Sequence, residues 1–277
     1  MTTTLRPAGP EERTPAGGRS RPYEICVNAR AVGTVLLRTG EGRKSRTGRI
    51  ERLAVDPAER RRGRATVALL AAEEALRAWD CVRVDGEVPA GAAGALDLAL
   101  ALGYREHGRA MTKELSHTPD LPPGSAARLM DGADYAAWRA RDVAQQLEIH
   151  KALGVPPDEA RELADEAHQR LLPDGPGTVG VVMRVLTHQG TDVGTVWVRV
   201  DGAPRPGVAG WVYTVEVYEP LRGRGHGRAL MLLAEREARA AGVGLLGLNV
   251  DPGNAPARHL YESLGYRPLA HSLAKAL

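Results

Sequence analysis

VEVYEPLRGRGHGRALMLLAEREARAAG, residues 215–242, is the stretch on which the reading turns. Val215 and Val217 alternate with Glu216, the period of a strand, and ALMLLAEREARAAG then spaces apolar residues as a helix would to about residue 241. Between them, residues 222–228 are all Gly, Arg or His. A strand that runs into a helix through such a turn leaves backbone amides without intrahelical acceptors, at the positive end of the helix dipole. Gly223, Gly225 and Gly227 let a ligand approach that backbone, and Arg222, Arg224 and Arg228 can add charge-assisted contacts. Pyrophosphate is the natural occupant, and a plain glycine-rich turn with solvated arginines is the alternative.

Two common phosphate motifs do not fit. A Walker A loop needs Lys followed by Ser or Thr, and neither pair follows these glycines. A dinucleotide fingerprint needs a third glycine where Arg228 stands.

The turn has a counterpart. RRRGRA at 60–65 answers RGRGHG at 222–227, LGY at 102–104 answers LGY at 264–266, and windows 55–104 and 217–266 align without a gap at 17 identities in 50. Composition alone would supply about 5, so the chain reads as a duplication. The length of 277 residues suits two domains. SHTPDLPPGSAA (116–127) lacks apolar periodicity, which places a linker at 118–126 between domains at 1–117 and 127–277.

Both parts read as mixed α/β. In the second, helices are expected over 134–153 and 158–172, with Asp134 and Asp158 as N-caps. A hairpin of 179–188 with 191–200 turns at Gln189-Gly190, followed by a strand over 210–218, a helix over 226–241, a strand over 245–250, a helix over 255–264 and a last strand. The first part goes directly to strand-like residues 23–39, without a counterpart of the two long helices.

Arg222-Gly223-Arg224-Gly225-His226-Gly227 follows the pattern Gln or Arg, two residues, Gly, one residue, then Gly or Ala. With the preceding EVYEP, the helix after it, LGLNV, Asn254 and LYESLGY at 260–266, it resembles the Gcn5-related N-acetyltransferase (GNAT) superfamily over about 60 residues. The resemblance implies two tandem GNAT-fold domains with a mixed sheet, the first truncated and degenerate. It also implies acetyl-coenzyme A as cofactor, its pyrophosphate at 222–228, with His226 contributing its backbone more than its ring. Val215 and Val217 would hold the pantetheine arm through their backbone, with Asn254 and, more weakly, Asn249 beside them. Both asparagines are also ordinary cap or turn residues.

Acyl transfer to an amine needs a neutral nucleophile and a proton for the departing thiolate. Glu216 is the candidate base, with a solvated carboxylate on a strand edge as the alternative. Tyr261 occupies the family's general-acid position, and a packed helical Tyr between Leu260 and Leu264 is its alternative. In the ungapped alignment Glu216, Asn254 and Tyr261 fall on Ala54, Ala92 and Ala99, while Arg60, Gly63 and Ala65 keep the turn pattern. Glu51 would point away from the face of Ala54 on a regular strand. Catalysis is therefore expected in the second domain only.

Acceptors in this family bind against the first two helices, so specificity is expected in 134–172. There Tyr135 and Trp138 stand among Asp134, Asp142, Glu148, Asp158, Glu159, Glu162, Asp165 and Glu166. These suit a cationic amine, or are the solvated faces of two amphipathic helices. One degenerate half in tandem resembles mycothiol synthases and other actinobacterial acetyltransferases. The resemblance implies a small-molecule amine acceptor. Protein N-terminal or lysine acetylation, or coenzyme A sensing without catalysis, are the competing readings.

The net charge of +3 with 33 Arg to 4 Lys reads as compositional bias, so no nucleic-acid partner is expected. Cys26 and Cys81 have no metal-type spacing and point to a reduced cytoplasmic protein. No leader or membrane segment is expected, nor any metal, and the assembly is expected to be a monomer or homodimer.

Overall fold

The structure, a computed structural model, describes residues 2–13, 17–40, 46–152 and 155–277. In chain order it forms strands β1 (Thr3–Pro7), β2 (Glu12–Arg13), β3 (Arg19–Val27), β4 (Arg30–Thr39) and β5 (Thr47–Val55). Helix α1 (Arg64–Arg77), strand β6 (Arg83–Pro89), helix α2 (Ala93–Ala101) and strand β7 (Arg105–Glu114) follow. The rest comprises β8 (Ser125–Leu129), α3 (Gly132–Ala152), α4 (Pro157–Leu171), β9 (Val181–His188), β10 (Thr191–Arg199) and β11 (Gly210–Val217). It ends with α5 (His226–Ala240), β12 (Leu245–Val250), α6 (Ala255–Ser263) and β13 (Arg267–Ala276).

Residues 23–39 are not one strand but a hairpin, because Asn28 and Ala29 take left-handed φ values of 49° and 69° in a two-residue turn. The hairpin of β9 and β10 turns at Gln189 and Gly190 in the same way, with φ of 50° and 79°. Two expected caps are corrected. Asp131 caps α3 by accepting from the Asp134 amide at 2.8 Å, and Asp134 accepts in return from the Asp131 amide at 3.1 Å, so Asp134 is the third residue of a capping box. Helix α4 starts at Pro157, whose missing N–H costs nothing in the first turn, with Pro156 rather than Asp158 at the cap. Leu153, the end of the expected first helix, lies outside the described residues.

Two compact units form: Met1–Ala110 with Val250–Ala255 and Pro268–Leu277, and Met111–Asn249 with Pro256–Arg267. This is not the linear division into 1–117, 118–126 and 127–277. Ser125 and Ala126 of the expected linker belong to β8, which pairs with β9, and the chain's last strand goes to the first unit.

In the first unit the strand order is β1-β3-β4-β5-β6-β13, with β2 on β3. Only β5 and β6 run parallel there, joined by α1, and β13 pairs antiparallel with β6 from Ala270 opposite Pro89 to Ala276 opposite Arg83. The apolar face of α1, Ala68, Leu69, Ala72 and Leu76, packs into a core with Ile25, Leu37, Val84 and Leu273. In the second unit, which takes β7 only from Met111 onward, the order is β7-β12-β11-β10-β9-β8, and β11 and β12 run parallel, joined by α5. Leu230, Leu233, Ala234 and Ala238 form the buried face of α5. An aromatic cluster ties α3 to the sheet, with Trp138 edge-on to Trp197 at 5.5 Å and Trp197 stacked on Tyr213 at 4.4 Å.

Each unit buries one glutamate of its crossover helix. Glu73 is 1% exposed and receives both of its bonds from Lys275 Nζ at 2.9 and 2.7 Å; Glu235 is 3% exposed and receives both from Lys113 Nζ at 2.8 Å. A carboxylate persists at such depth only when paired. Each lysine also lies over a tyrosine ring, Lys275 at 5.5 Å from Tyr104 and Lys113 at 5.7 Å from Tyr266. Burial and the adjacent glutamate push both phenols well above their ordinary range. Lys113 and Lys275 occupy equivalent places in the two repeats, on β7 and β13; Lys275 lies in the first unit with Pro268–Leu277, and Lys113 in the second, whose share of β7 starts at Met111 while Arg105–Ala110 stay with the first.

Candidate active site

Strands β11 and β12 pair only from Gly210 opposite Leu246 to Val212 opposite Leu248. Beyond that they part, leaving the backbone of residues 213–217 on one side and of Asn249 on the other as open edges. A bulge helps to divert β11: in its ladder with β10, Trp197 faces Thr214 and Val198 faces Val212, so Tyr213 is the extra residue. On β10, Gly194 is obligatory, since a Cβ there would lie 2.2 Å from the Glu216 carbonyl oxygen.

The strand ends in a 3-10 turn at Glu219–Leu221, and α5 begins at His226. Gly223 and Gly225 take φ of 78° and 86°, the left-handed region that costs a Cβ-bearing residue about 1 kcal/mol or more. This conformation turns successive amides outward. Those of Gly223, Arg224, Gly225, His226 and Gly227 find no backbone acceptor among the described residues, which makes the turn a concave donor surface. Arg222 closes the turn from within, its Nε donating to the Val217 carbonyl at 3.2 Å. Arg228 bridges to Ser263 on α6 at 2.5 Å. Arg224 is exposed. The His226 ring is buried against His188, 5.1 Å between centroids, and burial, His188 and Arg224 lower its pKa.

Glu216 is not a freely solvated edge residue. Its two oxygens accept from Arg141 Nε at 2.8 Å and Nη2 at 3.0 Å, and Thr195 Oγ1, buried, donates to Oε2 at 3.3 Å. Arg141 lies on α3 with its guanidinium 5.4 Å from the centre of the Tyr218 ring, and the bond to Glu216 raises its pKa. Tyr261 on α6 is half-buried 6.0 Å from Tyr266, and burial raises its phenol pKa. Asn249 is exposed just past the last pair of β11 and β12. Asn254 stands in the turn before α6, its amide donating to the Asp251 carbonyl at 3.0 Å, in a segment that belongs to the first unit.

Sequence reasoning missed Arg141, Thr195 and Tyr218. Attention to carboxylates in 134–172 hid the cation among them. Of the two readings of the acidic and aromatic residues there, a rim for a cationic amine or the solvated faces of two helices, the contacts speak against the rim at four positions: Trp138 is core, Asp134 pairs with Arg128, Asp142 with His168 at 2.9 Å and Asp165 with Arg139 at 3.0 Å.

The first unit repeats the scaffold. Strands β5 and β6 pair only from Thr47 opposite Arg83 to Ile50 opposite Gly86, and a bulge falls at Glu51, which pairs with Arg38. The bulge breaks the alternation on which the expected orientation of Glu51 depended. Arg60 Nε donates to the Val55 carbonyl at 2.9 Å, as Arg222 does to Val217, and Gly63 takes φ of 72°. Arg61 is held at φ 59° where the second unit has Gly223. The turn persists with an arginine held at left-handed φ, and Ala54, Ala92 and Ala99 stand where the second repeat has Glu216, Asn254 and Tyr261.

Among the described residues no cluster of His, Cys, Asp or Glu could hold a metal ion, and no helix is long and apolar enough to cross a membrane. Cys26 and Cys81 are free and buried.

The acetyltransferase (GNAT) family model matches residues 6–104 and 144–266, one stretch in each repeat. A mycothiol acetyltransferase of Propionibacterium freudenreichii is 31% identical over 220 residues, 77% of this chain and 66% of its own. One from Beutenbergia cavernae is 30% identical over 239 residues, 79% of this chain and 73% of its own. The chain thus spans about two thirds of the length of the first of these relatives. The crystal structure of a GCN5-related N-acetyltransferase from Sphaerobacter thermophilus shares the fold, with a TM-score of 0.57 at 22% identity over 92% of this chain and 80% of that one. Parted parallel strands, the outward-facing amides of the turn and two matches to one family model have a common explanation: this chain belongs to the GNAT acetyltransferase family.

Proposed function

We propose that the protein is an acetyl-CoA-dependent N-acetyltransferase of a small-molecule primary amine, that its second unit performs the chemistry by direct attack in a ternary complex, and that its first unit is a degenerate copy. The observation that carries the reading is the run of five amides, Gly223 to Gly227, without backbone acceptors at the mouth of the parted strands. Acetyl-CoA supplies an activated acetyl thioester. Its pyrophosphate suits the amide run, and the open edge of residues 213–217 suits the amides of its pantetheine arm, much as an added strand would pair. Relatives named for mycothiol support a small-molecule acceptor.

Glu216 takes a proton from the acceptor ammonium and frees the nitrogen lone pair. The nitrogen bonds to the acetyl carbon as the carbon–sulfur bond breaks, and it sheds a second proton to become an amide. Tyr261, a protonated phenol whose pKa burial raises further, gives its proton to the leaving sulfur. Regeneration of both side chains leaves one proton released per turnover.

Calorimetric titration with acetyl-CoA tests the reading. One site per chain is expected, weakened at least ~100-fold by Gly225→Val, since a β-branched residue is strained at φ 86° and would deform the amide cradle. Gly63→Val should leave that site intact. No binding by the wild type would end the proposal, and loss with Gly63→Val alone would move the site to the first unit. Tyr261→Phe is expected to lower kcat by about 10²-fold at unchanged acetyl-CoA affinity; an unchanged kcat removes Tyr261 from the mechanism.

A further inference from the structure

Arg141 occupies the place that an acceptor amine must reach. Its Nε and Nη2 each hold one oxygen of Glu216, at 2.8 and 3.0 Å, in the planar two-point geometry by which guanidinium groups recognise carboxylates. An ammonium group approaching Glu216 therefore meets a guanidinium already seated there, and like charge opposes it. The Arg141 side chain is 42% exposed and Glu216 28% exposed, so a ligand can reach the pair from solvent. The Tyr218 ring under the guanidinium, 5.4 Å away, supports it from the same strand end, and Thr195 from β10 keeps a hydrogen bond to Glu216 that does not depend on Arg141. The arginine can exchange partners while the base stays oriented.

We propose that Arg141 selects the acceptor, and that the acceptor is an amine with a carboxylate on the neighbouring carbon, an α-amino acid. Such a molecule resolves the conflict with its own atoms. Its carboxylate takes the two N–H groups of Arg141, Glu216 is released with Thr195 still attached, and the ammonium one carbon away lies beside the freed base. An amine without the carboxylate must separate the ion pair and then tolerate an unpaired guanidinium next to its own charge. The Arg141–Glu216 pair is thus a latch that only a zwitterionic acceptor opens at little cost. The inference rests on the second unit being an amine acetyltransferase.

The test measures coenzyme A thiol release with a panel of L-amino acids, each beside its carboxamide and its decarboxylated amine, for the wild type, Arg141→Gln and Arg141→Lys. For the best acceptor the wild type is expected to favour the free acid over both partners by at least ~30-fold in kcat/KM, the scale of a charge-assisted two-point contact. Arg141→Gln should erase most of that preference through KM for the acid, while kcat/KM for the decarboxylated amine rises. Arg141→Lys should recover only part, because an ammonium carries the charge without the paired geometry. Acetyl-CoA titration of Arg141→Gln at wild-type affinity shows that the site remains folded. A wild type that favours the amide or the decarboxylated amine, an unchanged ratio in Arg141→Gln, or acetyl-CoA binding with no amino acid acetylated overturns the inference alone. A wild type that binds no acetyl-CoA brings down the acetyltransferase reading, and the inference with it.

Discussion

Lys113→Ala is expected to destabilise the second unit by about 3–5 kcal/mol, the cost of stranding one member of a buried ion pair. Glu235 is 3% exposed, and Lys113 Nζ satisfies both of its oxygens. Without the lysine the carboxylate must stay charged in a poor solvent or take up a proton, and either erodes a stability that for a domain is commonly about 5–15 kcal/mol. Denaturant unfolding followed by tryptophan fluorescence in a Trp79→Leu background reads this, since the other three tryptophans, Trp138, Trp197 and Trp211, lie in the second unit. The double replacement Lys113→Met with Glu235→Met should restore most of the loss, because removing both charges removes the unpaired one. A loss below about 1 kcal/mol in the single variant would show that the pair does not hold the unit.

Deleting Pro268–Leu277 is expected to unfold the first unit and spare the second. The deletion uncovers the whole edge of β6, takes Leu273 and Ala270 from buried positions, and leaves Glu73, 1% exposed, without Lys275. These losses together exceed what a domain of ordinary stability withstands. Hydrogen exchange resolves the outcome by segment: protection should vanish across β3 to β6 and α1 and persist across β9 to β12 and α5. Retained protection in the first unit, or loss confined to the second, would contradict the assignment of β13.

What could be read from the chain beforehand was whatever is local. The strand, turn and helix around Gly223 and Gly225 announce themselves by a change of period and by residues that tolerate left-handed backbone. The duplication was legible because both copies kept the turn. Arg141 was not, because its meaning depends on Glu216, 75 residues away, and on the angle at which α3 crosses the sheet. The place of β13 in the first unit was equally hidden: either closing strand could join either sheet by pattern alone, and a linker with three prolines marks a break without saying which unit each flank joins. Asp134 misled because Asp131 offers the same side chain three residues earlier, and only the reciprocal bonds tell them apart.

The place of β13 also sets an order in time. Synthesis runs from the N-terminus, and the earlier half of a tandem protein ordinarily folds while the later half is still being made. Here the early half lacks its closing strand until residues 268–277 leave the ribosome, on the order of ten seconds or more after β6 at common elongation rates. Through that interval the edge of β6 and the carboxylate of Glu73 await partners. The later half has everything it needs once Arg267 has emerged. Of the two units, the one begun earlier is completed later.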